Sequence, residues 1–76
     1  MKAYILVSLI PGLEANTISQ ISALPGVEET DLVFGHWDRV VQVQTKNIPD
    51  LSRMVINQIH GVQGVQTTET LIGGIV

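Results

Sequence analysis

No cysteine occurs among the 76 residues, so no disulfide can brace the chain, and a structural metal would have only His36 and His60 as imidazole ligands. A domain of this length buries only about 60% of the surface exposed by its unfolded chain. Small domains commonly make up that deficit with disulfides, metals or partner subunits, so association with further copies is the stabilising device left. Charge is also scarce. Charged residues make up 14% of the sequence against roughly 25% in an ordinary domain, while 45% is apolar. That is too little charge to coat a free monomer, and part of the surface is expected to be interface. Positive charge is scarcest of all: four Lys and Arg and a net charge of −3 cannot supply a row of phosphate contacts, which argues against direct DNA or RNA binding. The longest opening apolar run, Tyr4 to Ile10, is far shorter than the ~20 residues of a membrane span and lacks the features of a signal peptide. A cytoplasmic protein without membrane contact is the expectation, and the lack of cysteine is compatible with it.

What is present alternates regularly. Ala3 to Ile10 reads as a central strand, with Ala3, Ile5, Val7 and Leu9 on one face and Tyr4, Leu6, Ser8 and Ile10 on the other. Pro11-Gly12 stops it, and Leu13 to Leu24 reads as a short helix with Ile18, Ile21 and Leu24 at near-helical spacing, ended by Pro25-Gly26. Val27 to Phe34 is a second strand whose Glu28, Glu29 and Asp31 suit an edge. Gly35-His36-Trp37-Asp38 turns the chain into a third strand, Arg39 to Thr45. Asn47 is placed to cap a second helix, with Pro49 and Asp50 in its first turn. Leu51, Met54, Val55, Gln58, Ile59 and Val62 follow as a stripe on which Gln58 is the single polar member. Gly61 and Gly64 end the helix, and Val65 to Ile72 is a fourth strand on a second edge, before Gly73-Gly74 and the apolar tail Ile75-Val76.

The order β-α-β-β-α-β is that of the ferredoxin-like split βαβ fold: an α+β domain with a four-stranded antiparallel sheet and two helices on one face. Right-handed crossovers place strands one and three at the centre and leave the other face of the sheet without helices. Tyr4, Leu6 and Ile10, with Leu32 and Phe34 if the registers align, are expected to project there. Leaving such side chains wet would forfeit about 1.5–3 kcal/mol each. A homodimer formed through the sheet is therefore predicted as the minimum stable unit.

The local sequences resemble the effector-binding (RAM) domain of the Lrp/AsnC family of transcription regulators over essentially the whole chain. The resemblance is carried by Ala3-Tyr4-Ile5-Leu6-Val7, Leu24-Pro25-Gly26-Val27, Gly35-His36-Trp37-Asp38, and Gly64-Val65 followed by Thr68-Glu69-Thr70 and Leu71-Ile72. It implies dimers assembling to an octamer or similar ring, with an amino acid or related metabolite held between dimers. It also implies a binding module rather than an enzyme, with no cofactor. Because the chain starts at the first strand, a single domain spanning residues 1–76 without a DNA-binding half is expected, modulating full-length Lrp/AsnC regulators through mixed assembly.

In the family pattern the loop between strands two and three and the Thr-x-Thr of the last strand line the effector site, which implies Gly35, Asp38, Thr68 and Thr70 here, with His36 and Trp37 shaping the pocket. A zwitterion needs an acceptor for its ammonium group and donors for its carboxylate. Asp38 offers the first; backbone N–H groups near Gly35 and His36 and the threonine hydroxyls offer the second. Each has a plainer role. Asp at the end of a turn most often binds nearby backbone, Trp37 suits interface packing, and threonines are ordinary strand formers. His36 lacks a neighbouring nucleophile or metal pair, so catalysis has little to build on. His60, near a helix C-terminus, is assigned no role. Two competing readings share the strand order: a small dimeric α/β-barrel enzyme of monooxygenase or isomerase type working through His36, and an ACT-like regulatory domain.

Overall fold

The computed structural model describes residues 1–73, and the Gly74-Ile75-Val76 tail lies outside the described residues. The elements are β1 (Lys2–Leu9), α1 (Glu14–Ser22), β2 (Val27–Leu32), β3 (Arg39–Gln44), α2 (Ile48–Arg53) and β4 (Val65–Ile72), with a π-helical segment, Met54–Ile59, continuing directly from α2. One antiparallel sheet runs β2-β3-β1-β4, so β1 and β3 are central and the acidic β2 and threonine-rich β4 are edges, as predicted. This is the ferredoxin-like split βαβ fold.

Alternation along β1 decides the layering. Ala3, Ile5 and Val7 are wholly buried and Leu9 nearly so, packed with Val41 and Val43 of β3, Ile21 of α1, and Leu51, Met54, Val55, Ile59 and Val62 of the second helical stretch. Both helical stretches therefore cover the same side of the sheet. Tyr4, Leu6 and Ser8 on the other side are only half-buried and Ile10 is exposed. At 36 × 24 × 17 Å the molecule is thin, as two layers with no third would be.

The helix termini follow their local chemistry. Asn47 Oδ1 accepts the Asp50 backbone N–H at 2.8 Å, the capping role expected of it. The first helix is shorter than the Leu13–Leu24 span. It has no side-chain cap, and Ala23 and Leu24 already belong to the turn into β2. Thr17, not part of the apolar stripe, is fully buried: its hydroxyl lies 2.8 Å from the Leu13 carbonyl oxygen and 2.9 Å from that of Gln63, sharing its one proton between them. A Cβ on Gly64 would come within 1.9 Å of that hydroxyl, so α1 seats directly on the turn before β4.

Two turns of one design launch the edge strands. In Leu24–Val27 and in Val62–Val65 the fourth residue's N–H reaches the first residue's carbonyl, and the third residue is a glycine at positive φ, +91° for Gly26 and +104° for Gly64. Those are the marks of a type II turn. Each turn is followed at once by a break in register: between Val27 and Glu29 in β2, and opposite Ser8 and Leu9 in β4, where Val65 and Thr67 are successive partners. The extra residue, Glu28 or Gln66, flips the faces of everything after it.

That flip corrects one expectation. Leu32 pairs with Arg39, which pairs with Val7, so Leu32 belongs to the helix side of the sheet rather than to the open face with Tyr4 and Leu6. The registers do not align as that expectation required, because the extra residue Glu28 shifts the faces of β2 after Val27. The neighbouring Val33, just beyond β2, donates its N–H to the Asp38 carbonyl. Phe34 lies beyond β2 in the connecting loop, 91% exposed, and so has no strand face.

Candidate functional site

The loop Phe34–Asp38 is anchored by its last residue. Asp38 donates its N–H to the Val7 carbonyl at 2.9 Å, accepts the Val33 N–H at its own carbonyl at 3.1 Å, and accepts the Leu9 N–H at Oδ2 at 2.8 Å. These bonds tie β2 and β1 together where β1 leaves the sheet and its register with β4 shifts. One carboxylate oxygen is thus committed to backbone, the plainer of its two roles, although to a partner 29 residues away rather than within the turn. The other, Oδ1, enters no hydrogen bond among the described residues. The bond to Leu9 fixes the orientation of the Asp38 carboxylate.

Gly35 holds φ +126°, a conformation that favours glycine, and no atom lies within 4 Å of where its Cβ would sit. Space above the loop is therefore open. His36 is exposed, Trp37 half-buried and Phe34 almost fully exposed, so the loop presents two large apolar rings at the end of the sheet.

Thr68 and Thr70 sit across β1 from this loop. Thr68 pairs with Val7 and Thr70 with Ile5, so both share the helix side of the β4 edge. Thr68 Oγ1 meets His60 Nε2 at 2.6 Å, joining β4 to the end of the π-helical segment. His60, given no role from sequence, is in this way tied to a candidate site residue. The signal for it was slight: a His eight residues before a strand threonine. Thr70 lines an apolar cleft of about 300 Å³ with Ile48, Leu51, Val55, Ile56 and Ile72. A second, polar cleft of about 350 Å³ opens between Gln44, Thr45 and the residues Asp50, Arg53, Asn57 and Gln58.

Neither cleft is lined by Gly35, His36, Trp37, Asp38 or Thr68. Within one subunit the six sequence-derived candidates thus form two separate groups, the loop and the β4 edge, with β1 between them. His36 gives the enzymatic alternative no support: it is exposed and lines neither cleft. No group of three or more His, Cys, Asp or Glu side chains is arranged to hold a metal among the described residues. No helix among them is long and apolar enough to cross a membrane.

The subunit thus has helices on one side, an open sheet on the other and a glycine-opened loop at the sheet end. The chain belongs to the Lrp/AsnC ligand-binding domain family, whose model matches residues 2–73. That family is a regulatory ligand-binding domain of transcription regulators, not a family of enzymes. An uncharacterized HTH-type transcriptional regulator of Pyrococcus horikoshii is 36% identical over 73 residues, covering 92% of this chain and 49% of that protein. The chain thus spans about half the length of the curated relatives it matches. A protein of Thermus thermophilus superposes with TM-score 0.91 at 29% identity, covering 99% of this chain and 94% of that one. A transcriptional regulator of Neisseria meningitidis, solved as a complex with L-Met, shares the fold with TM-score 0.84 at 20% identity over 99% of this chain and 51% of that one.

Proposed function

We propose that this chain is a cytoplasmic sensor of an amino acid or related metabolite that works as an assembly, with the ligand held where subunits meet. The observation that carries this reading is the separation of the candidate residues. Asp38 and the Gly35 loop stand on one side of β1 and Thr68 and Thr70 on the other, about two strand spacings apart, and neither cleft of the subunit joins them, which supports a site completed by another copy. The open face supplies the means. Tyr4, Leu6, Val40 and Leu71 lie on it, and a dimer formed there would place the loop's Phe34 and Trp37 at the margin of further contacts. The methionine complex of the Neisseria regulator supports a small zwitterion as the ligand class.

Assembly into an octamer or similar ring, and mixed assembly with full-length Lrp/AsnC regulators, extend the same proposal to its output. Native mass spectrometry with each co-expressed family member tests it: mixed species support it, and homo-oligomers alone against every homologue refute it. Ligand identity is tested by thermal shift with the twenty amino acids. A true effector at 100 times its Kd adds about 2.7 kcal/mol and raises Tm measurably. If none raises Tm, the module is an assembly domain without a ligand of this class.

A further inference from the structure

The second helical stretch contains an anomaly that leads to a separate site. On α-helical spacing Gln58 falls on the core-facing stripe, seven residues after Leu51, yet it is exposed while Ile59 and Val62 stay buried. The π-helical turn over Met54–Ile59, closed by the His60 N–H on the Val55 carbonyl at 2.9 Å, accounts for this. In an i→i+5 turn residue 58 stacks beneath the exposed Arg53 and Ile59 beneath the buried Met54, whereas in an α-helix residue 58 would follow Met54 onto the core face. Such turns are rare and recur at functional sites. Here the turn delivers two adjacent carboxamides, Asn57 and Gln58, to one polar cleft.

The remaining lining is Asp50, Arg53, Gln44 and Thr45, with Pro25 and Met54 as its apolar part. Asp50 and Arg53 are ion-paired through Arg53 Nη2, and no other guanidinium nitrogen is engaged among the described residues. Gln44 and Thr45, at the end of β3 remote from the Asp38 loop, form the opposite wall. At about 350 Å³ the cleft lies at the small end of the range for ligand pockets, roughly 300–1,000 Å³. It is built from a single subunit.

We propose that this cleft is a second small-molecule site, taking a small zwitterion with a polar side chain: Arg53 holds its carboxylate, Asp50 its ammonium group, and the amides of Gln44, Asn57 and Gln58 its side chain. The guanidinium offers a planar fork to a carboxylate, and the adjacent Asp50 fixes which end of the ligand goes where. The carboxamides donate and accept, which suits a carboxamide or hydroxyl better than an apolar group.

Titrating L-glutamine into the ¹⁵N-labelled full chain tests the site independently of the intersubunit one. Saturable shifts are expected at the Asn57 and Gln58 side-chain amides and at the Arg53 guanidinium. They are expected to persist in Asp38→Ala. Arg53→Gln should weaken binding at these probes by about tenfold or more, the worth of one charge-assisted hydrogen bond. Arg53 is exposed, so that variant keeps its fold, and glutaramate, which lacks the ammonium group, should bind more weakly than L-glutamine. Shifts confined to Gly35–Asp38, Thr68 and Thr70, no saturable shift at all, or unchanged affinity in Arg53→Gln would each overturn the proposal.

Discussion

The two faces of the sheet are built from the same strands to opposite ends. On the helix side Ala3, Ile5, Val7, Val41 and Val43 are wholly buried, and polar groups there are satisfied, as with Thr17 between two carbonyls. On the open side apolar Tyr4, Leu6, Val40 and Leu71 alternate with polar Ser8, Gln42, Glu69, Glu29 and Asp31 along the ladders. One face therefore holds the subunit together and the other stays available for a sister subunit, with its acidic members at the edges restraining indiscriminate pairing. Substitutions that act on one face and not the other put this division to the test.

The largest effect is expected on the helix side. Gly64→Ala adds a methyl that overlaps the Thr17 hydroxyl and places Ala at positive φ, with a combined cost of about 2–5 kcal/mol. That is a large fraction of the stability of so small a domain, and urea denaturation should show it largely or wholly unfolded. Thr17→Ala in the same chain removes the overlapping hydroxyl, so the double variant should recover part of the loss, a coupling read by a double-mutant cycle.

Next in size is the open face. Leu6→Glu should leave the far-UV circular dichroism of the subunit intact at low temperature but weaken self-association. Removing about 1.5–3 kcal/mol of burial from each of two subunits weakens a dimer by roughly 10²–10⁴-fold. Sedimentation equilibrium checks this, and an unchanged association constant would take Leu6 out of the interface.

Asp38→Ala is a smaller change that divides structure from binding. The loss of the bond to the Leu9 N–H should cost about 1–3 kcal/mol, and effector binding should disappear while the dimer persists. Calorimetry with the effector found by thermal shift reads both. Unchanged affinity would remove Asp38 as the ammonium acceptor. Asn47→Ala, at the exposed cap of α2, should cost only about 1 kcal/mol with no effect on association. Leu32→Ser should likewise leave association unchanged, because the bulge has turned Leu32 off the open face; a marked loss there would restore it to the interface.

Much of this was legible in the residues, and the failures have a common physical source. The strand order, the central position of β1, the Asn47 cap and the two Gly-Val steps follow from alternation and local turn chemistry, which act over two to four residues. The face of Leu32 and the exposure of Gln58 do not. Each depends on one residue being added to a regular period, by a bulge in β2 and by a π turn after α2, and such insertions are decided by neighbours distant in sequence. The candidate site divides in the same way. Gly35 and Asp38 became candidates through the family resemblance of their turn, whose residues alone favoured a local backbone role, and the Asp38 bond to Leu9 needed the fold. The polar cleft of Asp50, Arg53, Asn57 and Gln58 was invisible to a reading that counted Gln58 as a flaw in an apolar stripe.

Whether the open face is covered by a sister subunit can be read from sedimentation velocity of the unaltered chain at micromolar concentration. The expected result is a particle of at least twice the 8.3 kDa subunit mass, which falls toward that mass in Leu6→Glu. A folded species of 8.3 kDa in the unaltered chain would contradict it.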